Sequence, residues 1–230
     1  SNVNSKNILK WLTELVKFIY KKSDIIFVSN YGFKQSVIEK GISSNKVKFM
    51  PNWAEDIFVT NKDIKVNRSE YNVPEGFVIM FAGNLGESQD FESIINAVEL
   101  TKENHLIQWV FVGDGRKSNW IHEQVKVKGL TKTVTLLGRF PTVSMPYFFK
   151  LADIMLVSLK DEHIFSLTVP SKVQSYMASS KPILTMLNGA GNDLVLGANC
   201  GFTALAGDYH KLAENVIKAS NTSITNLEEK

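Results

Sequence analysis

At 230 residues, with 44% hydrophobic and 21% charged residues, the chain has the composition of a globular protein long enough to bury a core without staples. Lys+Arg exceeds Asp+Glu by only 26 − 23 = 3 and no dense basic block exists, which argues against nucleic acid as a partner. Cys200 is the only cysteine, so an intrachain disulfide and a thiolate metal site are excluded, and a reducing, cytoplasmic setting is expected.

The first residues lack the basic, apolar, small order of a secretory signal, and no apolar run reaches bilayer-spanning length. From Lys6 to Lys22, the residues Ile8, Trp11, Leu12, Leu15, Val16 and Ile19 recur at helical spacing, with Lys10, Lys17, Lys21 and Lys22 between them. This predicts an amphipathic helix whose stripe packs on its own protein. The alternative is peripheral contact with anionic lipid at the inner face of a membrane. Residues 24–29 read as a short buried strand, 31–40 as a helix stopped by Gly41, and 47–50 as a strand ended by Pro51 and Asn52. Residues 51–76 are largely polar, lack a sustained period and carry Pro74 and Gly76, as expected of a connection between domains.

From Phe77 onward the alternation is regular. Strands are expected at 78–82, 108–112, 134–137, 154–157, 182–185 and 202–205. Helices are expected at 90–101, 120–128, 145–150, 171–179, 193–196 and 209–219. Strands and helices alternating at this spacing predict an α/β fold, a Rossmann-like parallel sheet with helices on both faces. Its crossovers are right-handed, and a ligand belongs at the carboxyl ends of the strands.

The residues after those strands carry the candidate chemistry. Gly83, Asn84, Leu85 and Gly86 follow the first strand, Gly113, Asp114 and Gly115 the second, and Gly138 and Arg139 the third. Glycine there lets backbone approach a ligand and offers N–H groups to phosphate oxygens; plain turn formation is the competing reading. Val169, Pro170, Ser171 and Lys172 look like a helix start, with Ser171 either the N-cap or a first-turn residue. Free amides at that start, with the Lys172 cation beside them, suit a diphosphate. No Asp-x-Asp pair occurs, and His105, His122, His163 and His210 have no metal-ligand spacing, so no metal and no cofactor is expected. Nicotinamide, P-loop and nucleophile-elbow signatures are missing. Asp161 and Glu162 read as solvated surface rather than a catalytic dyad.

Residues 78–86 with Gln89 resemble the first strand and turn of the retaining family-four glycosyltransferases, which have the GT-B fold. Capsule, O-antigen and colanic acid biosynthesis enzymes are the most similar subgroup. Residues 112–115, 137–138, 152–154, 169–178 and 181–183 extend the similarity, and residues 23–29 with Pro51 and Asn52 continue it upstream. The family's first glycine turn usually carries an arginine and, five residues on, a lysine; here Asn84 and Gln89 stand there. Its paired glutamates fall at Leu167 and Ser175, the second of which normally holds the ribose hydroxyls.

The resemblance implies transfer of a sugar from a nucleotide-sugar donor, a UDP-sugar, to a lipid-linked saccharide acceptor. Lys172 and Ser171 would stabilise the leaving diphosphate. Asn84, Gly86 and Gln89 would line its other side, Gly113, Arg139 and Phe140 would flank the base, and Gln174 or Ser175 would meet the ribose. By the same resemblance, residues 1–50 are the end of an N-terminal, acceptor-side domain whose beginning lies upstream, and 77–230 are the donor-binding domain. A UDP-sugar epimerase of the same fold and a noncatalytic nucleotide-sugar-binding subunit are the alternatives.

Overall fold

The computed structural model of the protein describes residues 6–60 and 65–222. The chain divides into two compact units, residues 1–52 and 53–230.

The first unit comprises helix α1 (Lys6–Lys22), strand β1 (Ile26–Val28), helix α2 (Tyr31–Glu39) and strand β2 (Val47–Phe49). The strands pair in parallel, Ile26 against Val47. Asn30 caps α2 by accepting from the Phe33 amide at 2.9 Å, and Gly41, at φ +85°, takes the left-handed conformation that ends it. The core here is small, built on Val28, Val37, Ile42 and Val47. The α1 stripe does not pack as expected. Ile8, Trp11, Leu12, Leu15 and Ile19 remain 38–64% exposed, because a two-stranded sheet and one short helix cannot cover a 17-residue helix. Among the described residues, no helix is long and apolar enough to cross a membrane.

The second unit carries a six-stranded parallel sheet. Its strands are β3 (Phe77–Ala82), β4 (Ile107–Val112), β5 (Val134–Gly138), β6 (Ile154–Ser158), β7 (Ile183–Met186) and β8 (Gly201–Ala204), in the spatial order β5-β4-β3-β6-β7-β8. Helices α4 (Phe91–Thr101), α5 (Ser118–Val127) and α10 (Tyr209–Ser220) cover one face, meeting Ile79, Phe81, Trp109 and Phe111. Helices α3 (Ile57–Thr60), α6 (Met145–Leu151), α8 (Ser171–Ala178) and α9 (Ala190–Gly197) cover the other, meeting Val78, Met80, Val110 and Val157. Both faces are therefore dry, which is why the central strands read as unbroken apolar runs. A four-residue helix α7 (His163–Ser166) interrupts the long loop after β6.

The segment 51–76 is not a bare tether. Phe58 and Val73 join the core of the second unit. The Arg68 guanidinium donates to the carbonyls of Leu151 at 3.2 Å and Gly76 at 2.6 Å and pairs with Asp153 at 2.8 Å. Asp153 in turn accepts from the Val78 amide at 2.7 Å, so the segment is pinned under the amino end of β3. Its polar surface hid two apolar anchors too far apart to show a period.

Strand order reverses between β3 and β6, the point where a doubly wound sheet opens a crevice. The β3–β6 register is Ile79 to Ile154 and Met80 to Met155, whereas β3 and β4 pair through Ala82 and Val112. The chain from β6 leads to the start of α8, which lies over this opening.

Candidate functional site

At the carboxyl end of the sheet, three turns lock together through main chain. The Gly83 amide donates to the Val112 carbonyl at 2.8 Å, the Leu85 amide to Asp114 at 2.9 Å, and the Gly113 amide to Gly138 at 2.7 Å. Gly113 has φ +139°, and a β-carbon on it would sit 1.8 Å from the Gly83 carbonyl oxygen. Here the glycine serves the approach of one turn to the next, a role distinct from the expected approach to a ligand.

Above these turns lies a cleft of about 970 Å³, the size of a small-molecule site. Its apolar wall includes Phe58, Phe140, Met145, Phe149 and Tyr176. The wall is braced by ring contacts: Phe58 stacks on Phe149 at 5.4 Å, and Phe149 meets Tyr176 edge-on at 4.9 Å. Its charged lining residues are Asp114, Arg139 and Lys172. Asp114 accepts from the Ser118 hydroxyl at 2.6 Å and the Gly115 amide at 2.7 Å, and these bonds, the hydroxyl first, hold its carboxyl below the usual range.

Helix α8 begins at this cleft. Pro170 is its N-cap, which makes Ser171 the first helical residue, and no side chain caps the first turn. An uncapped helix start leaves amide donors and the positive end of the helix dipole facing the cleft. Lys172 lies in the same turn. The residue as a whole is half-buried, but its Nζ is sealed from solvent and has no hydrogen-bond partner. It sits 3.5 Å from the centroid of the Phe81 ring. Burial alone pulls its pKa down from 10.5 to about 7, because a dry site disfavours the charged form.

Of the expected site residues, Asn84, Gly113, Arg139, Phe140, Ser171, Lys172 and Ser175 line the cleft. Gly86, Gln89 and Gln174 do not. Gly86 is buried beneath Asn84, whose amide nitrogen lies 2.6 Å from where a Gly86 β-carbon would be. The Gln89 amide donates to the Ser88 hydroxyl at 3.2 Å. The Gln174 amide lies against the Pro170 carbonyl at 2.8 Å and the Ser171 carbonyl at 3.2 Å. Ser175 lines the cleft, yet its hydroxyl donates to the Ser171 carbonyl at 3.2 Å, so it points along its own helix. Sequence reasoning missed Phe58 and Tyr176 as wall residues, and it placed Asp114 in a candidate turn without giving its charge a role. Its place between two glycines after a strand is the signal that could have done so. Among the described residues, no three His, Cys, Asp or Glu side chains gather to hold a metal.

Residues 76–222 match the family described as Glycosyl transferases group 1. The chain belongs to that family. Similar family relatives include the probable glycosyltransferase WbjE of Pseudomonas aeruginosa, 31% identical over 184 residues, which cover 76% of this chain and 44% of WbjE. The putative colanic acid biosynthesis glycosyl transferase WcaI of Escherichia coli K12 is 29% identical over 148 residues, covering 61% of this chain and 35% of WcaI. The chain thus spans less than half the length of these relatives. Among solved structures, Anabaena HepE in complex with UDP and glucose superposes with a TM-score of 0.72 at 17% identity, covering 98% of this chain and 62% of HepE. Staphylococcus aureus TarM, in a complex that includes UDP, gives 0.71 at 14% identity, covering 99% and 43%. At such identities the likeness establishes the GT-B type of fold.

Proposed function

We propose that this chain carries the donor site of a retaining glycosyltransferase that moves a sugar from a nucleoside diphosphate, a UDP-sugar, to a lipid-linked saccharide in surface polysaccharide synthesis. One observation carries the reading. An unpartnered ammonium and an uncapped helix start share one turn beside a cleft of nucleotide size. Both favour an anion, and the cleft's apolar wall suits a planar base.

In this reading the diphosphate rests on the first turn of α8. Lys172 and the amides there face the oxygen on which charge develops as the glycosidic bond to phosphate breaks. Donors already fixed in place stabilise that charge without reorganising, which is where the rate gain arises. Asn84 lies across the turn on the opposite side, and the base lies between Gly113 and Phe140. The Ser175 hydroxyl meets the ribose only after leaving the Ser171 carbonyl. Helix charge and Lys172 take the place of a divalent metal. The acceptor-side contribution comes from the N-terminal domain to which residues 1–50 belong, at the cytoplasmic face of the membrane. The α1 stripe supports peripheral contact there, since its exposed apolar residues lie among lysines.

Calorimetric titration of the 230-residue chain with a panel of nucleotide-sugars tests the donor site, and absence of saturable binding across the panel refutes it. A second reading, a noncatalytic nucleotide-sugar-binding subunit, draws on Asn84, Gln89, Leu167 and Ser175 standing where the family carries charge. Donor binding by the chain, with no transfer even when joined to a complete acceptor-side domain, selects that reading.

A further inference from the structure

We propose that Phe81 and Gly83 are positioning residues that hold the Lys172 amine at the cleft with no carboxylate to neutralise it, so that its protonated form is ready for the donor's diphosphate. This rests on the donor-site reading above.

Phe81 and helix α8 lie on opposite faces of the sheet. Helix α8 packs on one face, burying Val173 and Tyr176 in the cluster that contains Met80 and Ala82. Phe81 points to the opposite face, into the cluster of Ile79, Phe91 and Phe111. Lys172 therefore reaches over the carboxyl edge of β3 to meet a ring belonging to the far side. Gly83, two residues after Phe81 and so on the same side of the strand, marks the passage. A β-carbon there would lie 2.7 Å from the Lys172 Cε and 3.0 Å from its Nζ. The lysine occupies the space a side chain at 83 would need.

The ring itself is fixed. Phe91 meets Phe81 edge-on at 5.2 Å, and Phe111 meets Phe91 edge-on at 5.6 Å, so the Phe81 face is presented in one orientation. Several other lysines of this unit are paired with carboxylates: Lys117 with Glu87 and Glu92, Lys128 with Glu99, and Lys160 with Glu87. A carboxylate beside Lys172 would compete with a diphosphate for the cation and repel it. An aromatic face attracts the ammonium through its quadrupole but adds no net negative charge. The side chain stays seated, and the charge of its protonated form is left for an incoming anion.

The test combines a spectroscopic signature with a binding cycle, both on the full 230-residue chain. The Lys172 ε-methylene protons, held over the ring, should be shifted upfield in the free protein. That shift should vanish in Phe81→Leu and in Gly83→Ala, the second variant serving if the first does not fold. UDP-glucose affinity should fall roughly fivefold to thirtyfold in Phe81→Leu. In a Lys172→Met background the same Phe81→Leu change should cost nothing further, since the residue it acts through is gone. Uridine affinity should stay level throughout. An unshifted Lys172 methylene, or losses that simply add across the cycle, would overturn the positioning role. If the unmutated chain binds no nucleotide-sugar, the donor reading itself falls and the positioning role falls with it, an outcome distinct from additive losses.

Discussion

The Tyr176 hydroxyl takes the place of a neighbouring strand for Ala82: it donates to the Ala82 carbonyl at 3.2 Å and accepts from the Ala82 amide at 3.4 Å. Both residues are buried, and the hydroxyl meets β3 beyond the Met80–Met155 pair of the β3–β6 register. One side chain of α8 thus completes the sheet where the strand order reverses. It also fixes the height of the helix start above the cleft.

Tyr176→Phe should accordingly destabilise the chain, because two buried backbone groups lose their partner. A loss of about 1–3 kcal/mol is expected. For a chain of this size that corresponds to a fall in Tm of roughly 3–9 °C. Thermal unfolding followed by circular dichroism checks it, and an unchanged Tm would mean that Ala82 finds another partner.

Lys172→Ala should weaken UDP binding by about tenfold to a hundredfold, the equivalent of ~1.5–3 kcal/mol for a charge-assisted contact. Uridine, which lacks phosphates, should bind as before. Lys160→Ala is the control, since Lys160 is occupied with Glu87 at 3.8 Å, and it should change UDP affinity little. Equal losses of UDP and uridine would point to a general loss of structure instead.

Acidity gives a third check. In the free chain Lys172 loses its proton as pH rises through about 7, and only the protonated form attracts the diphosphate. UDP-glucose has a diphosphate that does not titrate near neutrality. Its affinity should therefore be greatest below pH 7 and fall above it. Between about pH 6.5 and about pH 8.5 a drop on the order of tenfold is expected, with proton uptake on binding. The stability of the ligand-free chain moves the other way. The unfolded chain keeps this proton up to 10.5, so from about 7 toward 10.5 it binds more protons than the folded chain, and Lys172 opposes folding less as pH rises. Calorimetry in buffers of different ionisation enthalpy measures the uptake, and Lys172→Met should abolish it.

Divalent metal should be dispensable for donor binding. UDP-glucose titrations with magnesium, with manganese and with a chelator are expected to agree within about twofold, a difference near 0.4 kcal/mol. A tenfold loss on chelation would show that a metal, rather than the helix start and Lys172, neutralises the phosphates.

The central strands β3, β4, β6 and β7 were legible because they are buried on both faces; residues such as Val78, Ile79, Met80 and Phe81 leave no polar position to blur the run. Helices α3 and α7 were not, since four residues are too few to display a helical period. The α1 helix was legible, but what its stripe packs against was not, because that depends on partners elsewhere in the fold. At the site, Lys172, Asn84, Gly113 and Arg139 could be picked out because a turn after a strand and the start of a helix are local features. Phe58 and Tyr176 reach the cleft through long-range packing that no nearby pattern announces. Gln89 and Gln174 were assigned by position in a motif. Their amides are instead engaged by neighbouring hydroxyl and carbonyl groups, a competition that spacing alone does not reveal.

The linkage of Gly83, Leu85 and Gly113 to Val112, Asp114 and Gly138 is made entirely of peptide groups. The bottom of the cleft is therefore nearly the same object whatever side chains surround it. A substitution there can damage the surface but has few ways to redesign it. Altered ligand preference must come from the side chains at the margin, Asn84, Arg139 and Thr142 among them. An engineer seeking a different donor should diversify that margin and leave the peptide seam intact.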